Sequence, residues 1–302
     1  MQWDVCVVGS LNVDLVVRVP RHPEVGETVI GSTFETVLGG KGFNQALAAA
    51  RAGGRTAIVG AVGEDGHGDD LLTALGADGI DARGVRRVAG GTGTAFPVVD
   101  DEGRNTVIVV PLANHAVDVA DVERLAGLIG GARVVLVQLE LPLEAVVAAV
   151  TAARRAGAVT VLNPAPVAGD AASFAGIVDV VVPNESELAL LTGTDGSDPA
   201  AAAGELAAIT GAGAVVVTLG ERGALVWTAA AVTTVGPHAI DVVDTVGAGD
   251  AFCGMLAARL ADGASLLDAV GHANAAGALA TTRAGAEPSM PSIAEVEELL
   301  GR

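Results

Sequence analysis

The chain contains no tyrosine, two tryptophans and five phenylalanines, so aromatics make up only 2% of its 302 residues. Apolar residues still reach 51%, much of it alanine and valine, a mixture suited to alanine-lined helices packed closely on valine-rich strands. Cysteine is nearly absent too. Cys6 and Cys253 stand far apart, with no CxxC pair and no Cys/His cluster, which leaves no disulfide framework and no zinc pattern; buried free thiols are expected. Basic residues are scarce, 17 against 36 acidic ones, for a formal net charge of −19. A surface that acidic repels nucleic acid phosphates and anionic lipid heads, although a helix N-terminus can still bind a small anion locally. There is no run of 18 apolar residues to cross a membrane. The opening MQWDVCVVGS has an acid in its first apolar run and no basic flank, unlike a secretory signal, and a cytoplasmic location is expected. The five histidines share no metal-ligand spacing, and Walker A, HExxH and GxSxG motifs are missing, so P-loop, zinc-hydrolase and α/β-hydrolase chemistry have no support.

What is there alternates. Short apolar runs at 4–8, 56–61, 133–139, 159–162, 177–182, 214–219 and 224–227 read as strands. Helical patterns follow Gly40 and occupy 68–79, 143–157, 185–192, 199–211, 248–261, 265–282 and 292–300. Repeated strand–helix units imply a doubly wound, mostly parallel α/β sheet flanked by helices. Segments 13–19 and 28–37 alternate more and carry charges, and 93–99 and 105–110 flank the turn-forming Asp100-Asp101-Glu102-Gly103. Together they predict a small, partly exposed second sheet. No repeat or linker divides the chain, so a single domain over 1–302 is expected, with lid segments 13–38 and 93–112 inserted.

Several stretches carry chemistry. Asp244-Thr245-Val246-Gly247-Ala248-Gly249-Asp250-Ala251-Phe252 follows an apolar run and opens a helix. Gly247 and Gly249 let backbone N–H groups turn toward one point, an anion nest at the positive end of the helix. Such a nest can stabilise a transferring phosphoryl group, and Asp250 in the first turn can take a proton from an attacking hydroxyl. Alone, the stretch is also explained by a helix cap behind a glycine turn. It is not a dinucleotide fingerprint, because Phe252 stands where the third glycine belongs. Gly39-Gly40-Lys41-Gly42-Phe43-Asn44-Gln45 offers close backbone approach followed by amides that match hydroxyls, or merely caps a strand. Asn12 and Asp14 lie just past the first strand, where open α/β sheets bind ligands, or form a turn. Glu140 closes another strand. Asn184 and Glu187 begin a helix, and Thr218–Gly223 joins two strands with glycines that can admit a nucleotide or simply make a hairpin.

In order, GSLNVD, GGKGFNQA, QLELPLE, LNPAP, PNESEL, TLGERGA, DTVGAGDAF and TTRAGAEPSMP resemble the successive signatures of the ribokinase-like family of carbohydrate kinases, from Gly9 to Pro291. The resemblance implies an α/β domain of nine or ten strands with a β-sheet lid, often paired with a second subunit's lid in a homodimer. It implies ATP-dependent phosphorylation of D-ribose at O5, or of another pentose, a ketohexose or a nucleoside. By position it implies that Asp250 is the base, with Gly247, Ala248 and Gly249 as the anion hole, and that Asn12, Asp14, Gly40, Lys41, Gly42, Asn44 and Glu140 bind the sugar together with Asp250. Asn184, Thr218, Leu219, Gly220, Glu221, Arg222, Gly223, Gly249 and Asn274 would contact ATP, and Glu187 would organise Mg²⁺ through water. An activating K⁺ would be held by Asp244, Val246, Ala280, Arg283, Gly285 and Ser289, several through carbonyls. Two departures stand out. Phe43 replaces a small residue and is expected to narrow the sugar pocket or stack on a ligand, and Asn274 replaces a histidine common near the adenine. Asn12 favours ribose over 2-deoxyribose, because relatives that prefer deoxyribose tend to be apolar there.

Overall fold

The run Trp3–Val8 (β1) is apolar on both faces, and Val5, Cys6, Val7 and Val8 are all fully buried. Val5 and Val7 point into one core while Cys6 and Val8 point into another, as expected of a central strand covered by helices on both sides. The protein is described by a computed structural model over residues 2–167 and 169–301.

Two strands follow, β2 (Asn12–Val19) and β3 (Thr33–Gly39), then helix α1 (Lys41–Arg51). Strand β4 (Thr56–Gly63), helix α2 (Gly66–Ala77) and strand β5 (Asp81–Val88) come next, and the hairpin β6 (Gly93–Asp100) and β7 (Asn105–Val110) completes the first half. The second half runs α3 (Val119–Arg124), α4 (Ala126–Ile129), β8 (Ala132–Val137), α5 (Leu143–Arg155), β9 (Val159–Leu162), β10 (Val180–Val181), α6 (Glu185–Thr192), α7 (Pro199–Thr210), β11 (Ala214–Thr218), β12 (Ala224–Thr228) and β13 (Val232–Val235). It ends in α8 (Ala248–Ala261), α9 (Leu266–Ala280), α10 (Ala286–Ser289) and α11 (Ile293–Leu300).

Nine strands form one sheet in the order β13-β12-β11-β10-β9-β8-β1-β4-β5. It is parallel except where β12 meets β11 and β13. Helices α1, α8 and α9 cover one face, and α5 and α7 the other. The remaining strands make a separate sheet, β3-β2-β6-β7, with β2 and β6 parallel at its centre. Its register sets Asn12 between Gly39 and Gly93, and Asp14 between Val37 and Ala95. The four-stranded sheet assembles from the two segments expected to form it.

Three differences from the sequence-based expectation have physical causes. The strand expected at 28–37 runs instead from Thr33 to Gly39, because its partner β2 ends at Val19 before Pro20, and Arg18 opposite Thr33 is the last pair. Strands β5 and β13 were not expected at all. They are the two edges of the large sheet, where β5 carries Arg83, Arg86 and Arg87 and β13 alternates between exposed and half-buried residues. Edge strands tolerate charge and exposure that blur the apolar pattern. Strand β10 shrinks to two residues of the run expected over 177–182.

Candidate active site

Strands β1, β8, β9 and β10 are parallel, so their carboxyl ends open on the same side. There the chain delivers Ser10, Glu140, Asn163 and Asn184, and the N-termini of α1 and α8 arrive at the same edge. A crevice beyond the strand ends is where this architecture binds ligands.

Helix α1 reaches the crevice because glycine lets it approach closely. Gly40 has φ 91°, and a Cβ on Gly42 would lie 2.4 Å from the carbonyl carbon of Gly9. Gly42 thus packs on the β1 turn and donates its N–H to Ser10 Oγ at 3.3 Å. Gly254 does the same between α1 and α8, since a Cβ there would stand 2.5 Å from Ala48 Cβ. With the helices pressed together, Asn44 Nδ2 donates to Asp250 Oδ2 and Gln45 Nε2 to Asp250 Oδ1, each at 2.9 Å. Asp250 is 8% exposed. Residues distant in sequence therefore meet at one carboxylate, as the sequence motifs predicted. Asn44 Oδ1 is buried and, among the described residues, has no hydrogen-bond partner.

Phe43 corrects an expectation. It is fully buried within the core cluster on the α1 face of the sheet, with its N–H donating to Ser10 O at 2.9 Å. It neither narrows the pocket nor offers its ring to a ligand.

The remaining polar groups on this side are held in place before any ligand arrives. Asn114, in the turn after β7, donates Nδ2 to Asn12 Oδ1 at 2.7 Å and to Leu11 O at 3.3 Å, and accepts Leu11 N–H at 3.0 Å. That leaves the Nδ2 of Asn12 as its open end. Glu140 Oε2 accepts Ser10 Oγ–H and, at 3.0 Å, the Lys41 N–H. Burial, with the charges of Glu140 and Asp250 added, pushes the Asp14 carboxyl up to about 6. Burial works to lower the Lys41 pKa, but Asp250, Glu140 and Glu187 outweigh it and the net shift is upward. The Lys41 ammonium is thus the counter-charge to a ring of carboxylates. Ser10, Asn114, Gln138 and Asn163 were not among the expected site residues, and Gln45 was expected to meet ligand hydroxyls, not Asp250. Each acts through another side chain, a kind of contact that local sequence patterns do not announce.

Helix α8 starts at Gly247, whose φ of 80° puts it in the left-handed region. Among the described residues the N–H groups of Gly247, Gly249 and Asp250 find no acceptor, while Ala248 N–H turns back to Thr245 O at 3.3 Å. Free donors at a helix N-terminus form an anion site. The neighbouring loop is tied down by Asp244, which accepts Val246 N–H at 3.0 Å and Gly285 N–H at 2.9 Å. Ser289 Oγ is buried and donates to Ala286 O, and the Arg283 guanidinium turns outward to pair with Glu295. Among the described residues no three His, Cys, Asp or Glu side chains group as a metal site, so what this loop cluster offers is carbonyl oxygen, one hydroxyl and the single Asp244 carboxylate.

A cavity of about 740 Å³ lies beside the same helix start. Thr218, Gly220, Glu221, Gly223, Gly249 and Asn274 line it as expected, joined by Pro237, His238, Ile240 and Val242 from the loop after β13 and by Phe252 and Gly277. Asn274 Nδ2 is engaged with Gly236 O at 2.8 Å. Two expected contacts turn away. Leu219 belongs to the core on the α5 face, and Arg222 pairs with Glu185 on the surface. Asn184 and Glu187 cap α6 reciprocally, Glu187 N–H to Asn184 Oδ1 at 2.8 Å and Asn184 N–H to Glu187 Oε2 at 2.9 Å. Burial raises the Glu187 pKa, reinforced by Asp250 and opposed by the Asn184 N–H and Lys41.

Comparison with known proteins agrees with this arrangement. The profile of the pfkB family carbohydrate kinases matches residues 2–293. The chain is 38% identical to mouse ribokinase, covering 95% of this chain and 91% of that one, and 33% identical to the ribokinase of Haemophilus influenzae over 99% of both. The structure of Arabidopsis thaliana ribokinase complexed with ribose and ATP superposes with a TM-score of 0.90 at 33% identity, covering all of both chains.

Proposed function

The chain belongs to the pfkB family of carbohydrate kinases, and from that premise we propose that it transfers the γ-phosphoryl group of ATP to the O5 hydroxyl of D-ribose, giving ribose 5-phosphate. The observation that carries this reading is the Asp250 carboxylate, gripped by Asn44 and Gln45 beside unbonded N–H groups of α8. Support for ribose comes from the relatives that act on it and from the polar pocket around Asn12 and Asp14.

Asn12 presents its free amide N–H₂ to one sugar hydroxyl, and ionised Asp14 accepts from others. Glu140 steadies the Lys41 end of α1. The acceptor hydroxyl meets Asp250, which takes its proton as the new O–P bond forms and the bond to the ADP oxygen breaks. An alcohol is a weak nucleophile, and a positioned base contributes about 10²–10⁴-fold. The free N–H groups of Gly247, Gly249 and Asp250, with the Lys41 ammonium, balance charge on the transferring group. ATP lies in the cavity lined by Thr218, Gly223 and Asn274.

Glu187 fits a water-mediated Mg²⁺ role, since one oxygen is spent on the Asn184 N–H and the other has no partner. The loop cluster of Asp244, Val246, Ala280, Arg283, Gly285 and Ser289 fits K⁺, because its donors are hard, mostly uncharged oxygens. When bound, Mg²⁺ neutralises the phosphates and K⁺ stiffens the loop that ends in the anion hole. The small sheet closes over the sugar as a lid, excluding water that would compete as acceptor. Phe34, Ile108 and every residue of β7 are exposed, and we assign that apolar surface to the lid of a second copy in a homodimer. No described helix is long and apolar enough to cross a membrane. We assign the reaction to the cytoplasm on separate grounds, because ATP is supplied there.

A coupled assay of ADP release over a panel of pentoses, ketohexoses and nucleosides, with and without K⁺, tests the reading. Ribose is expected to give the highest kcat/KM, raised by K⁺. A nucleoside or hexose turned over faster than ribose would overturn it.

A further inference from the structure

We propose that Gln45 is a positioning residue that fixes the orientation in which the Asp250 carboxylate meets the acceptor hydroxyl, an inference that rests on Asp250 being the base. Gln45 is fully buried on α1, and each polar atom of its amide is engaged. Nε2 donates to Asp250 Oδ1 at 2.9 Å and to Asn163 Oδ1 at 3.1 Å, and Oε1 accepts from Gln138 Nε2 at 2.5 Å.

The direction of these bonds is set by the main chain. Asn163 Nδ2 donates to the carbonyl of Val182 at 2.9 Å, and a carbonyl can only accept. Asn163 must therefore turn Oδ1 toward Gln45, and Gln45 must answer with its NH₂ group, whose second hydrogen reaches Asp250 Oδ1. The bond to Oδ1 is thus fixed by a chain that ends on the main chain. Asp250 Oδ2 accepts from Asn44 Nδ2, and Asn44 Oδ1 is buried with no partner among the described residues, so no comparable chain fixes that second bond. The relay Val182–Asn163–Gln45 is what keeps the carboxylate aimed.

The test is steady-state kinetics of Gln45→Met, which keeps the side chain's length without its amide. The kcat at pH 7.5 is expected to fall about 10- to 100-fold, while both KM values stay within about threefold. Should that variant not fold, Asn163→Leu removes the anchor and leaves Gln45 beside Asp250; a smaller fall in kcat, again without a change in KM, is expected. A kcat that stays at the wild-type level in both variants, or a loss seen only in KM, overturns the proposal. Asp250→Asn measured alongside separates the two claims. If that variant stays active the base is wrong and the premise falls; if it is inactive while Gln45→Met keeps the wild-type kcat, only the orienting role falls.

Discussion

The two halves of the crevice are built differently. On the side assigned to the sugar, Asn12, Glu140 and Asp250 are each held by hydrogen bonds from elsewhere in the fold, to Asn114, Ser10 and Gln45. On the side assigned to the nucleotide there is an open cavity of about 740 Å³, and the N–H groups of residues 238–242 along its rim find no acceptor among the described residues. A fixed polar group rejects a ligand that lacks its partner far better than an apolar wall does. The contrast explains how one site can be strict toward its acceptor while using a donor that many enzymes share.

The largest effect that would sharpen this contrast is Asp250→Asn. Turnover is expected to fall by about 10²–10⁴-fold in steady-state kinetics with an unchanged Tm; near-normal turnover would break the sugar-side assignment. Next comes Asn12→Leu, which removes the amide that Asn114 orients. The KM for ribose should rise about 10- to 100-fold with the KM for ATP unchanged, and discrimination against 2-deoxyribose should largely vanish.

Asp14→Asn probes cost rather than contact. Burial and neighbouring charge raise this carboxyl from 3.8 to about 6, so its ionised form strains the ligand-free fold. That strain is full above about pH 6 and gone below the ordinary carboxylate range. The variant is therefore expected to melt higher at pH 7.5, by about 1 kcal/mol in stability, with the gain fading toward pH 4. Wild-type KM for ribose should rise as pH falls through 6, and the variant should bind ribose weakly at every pH. Smallest is Asn274→Ala on the nucleotide side, where a rise of a few-fold in the KM for ATP is expected with kcat intact.

Much of this was legible beforehand. Helix α8 begins where its glycines said it would, and the GGKG and GAGD stretches meet as the order of motifs implied. What stayed hidden depends on register between distant elements. Gln45 and Asp250 are 205 residues apart, and Asn114 lies 103 residues from the Leu11 amide it binds. No local pattern tells which face of α1 will turn toward α8, and for that reason Phe43 was placed in the pocket while Gln45, two positions on, was read as an amide for ligand hydroxyls and not as a partner of Asp250. The edge strands β5 and β13 were missed because charge and polar residues at a sheet edge blur the apolar pattern that marks a strand.

Hydrogen exchange on the ligand-free protein tests most directly whether one side is built in advance and the other is not. The expected result is slow exchange at Leu11, Phe43 and Asn44 without any ligand, and fast exchange at 238–242, Gly247 and Gly249 that slows only when ATP is added. Equal, rapid exchange on both sides before ligand is present would contradict it.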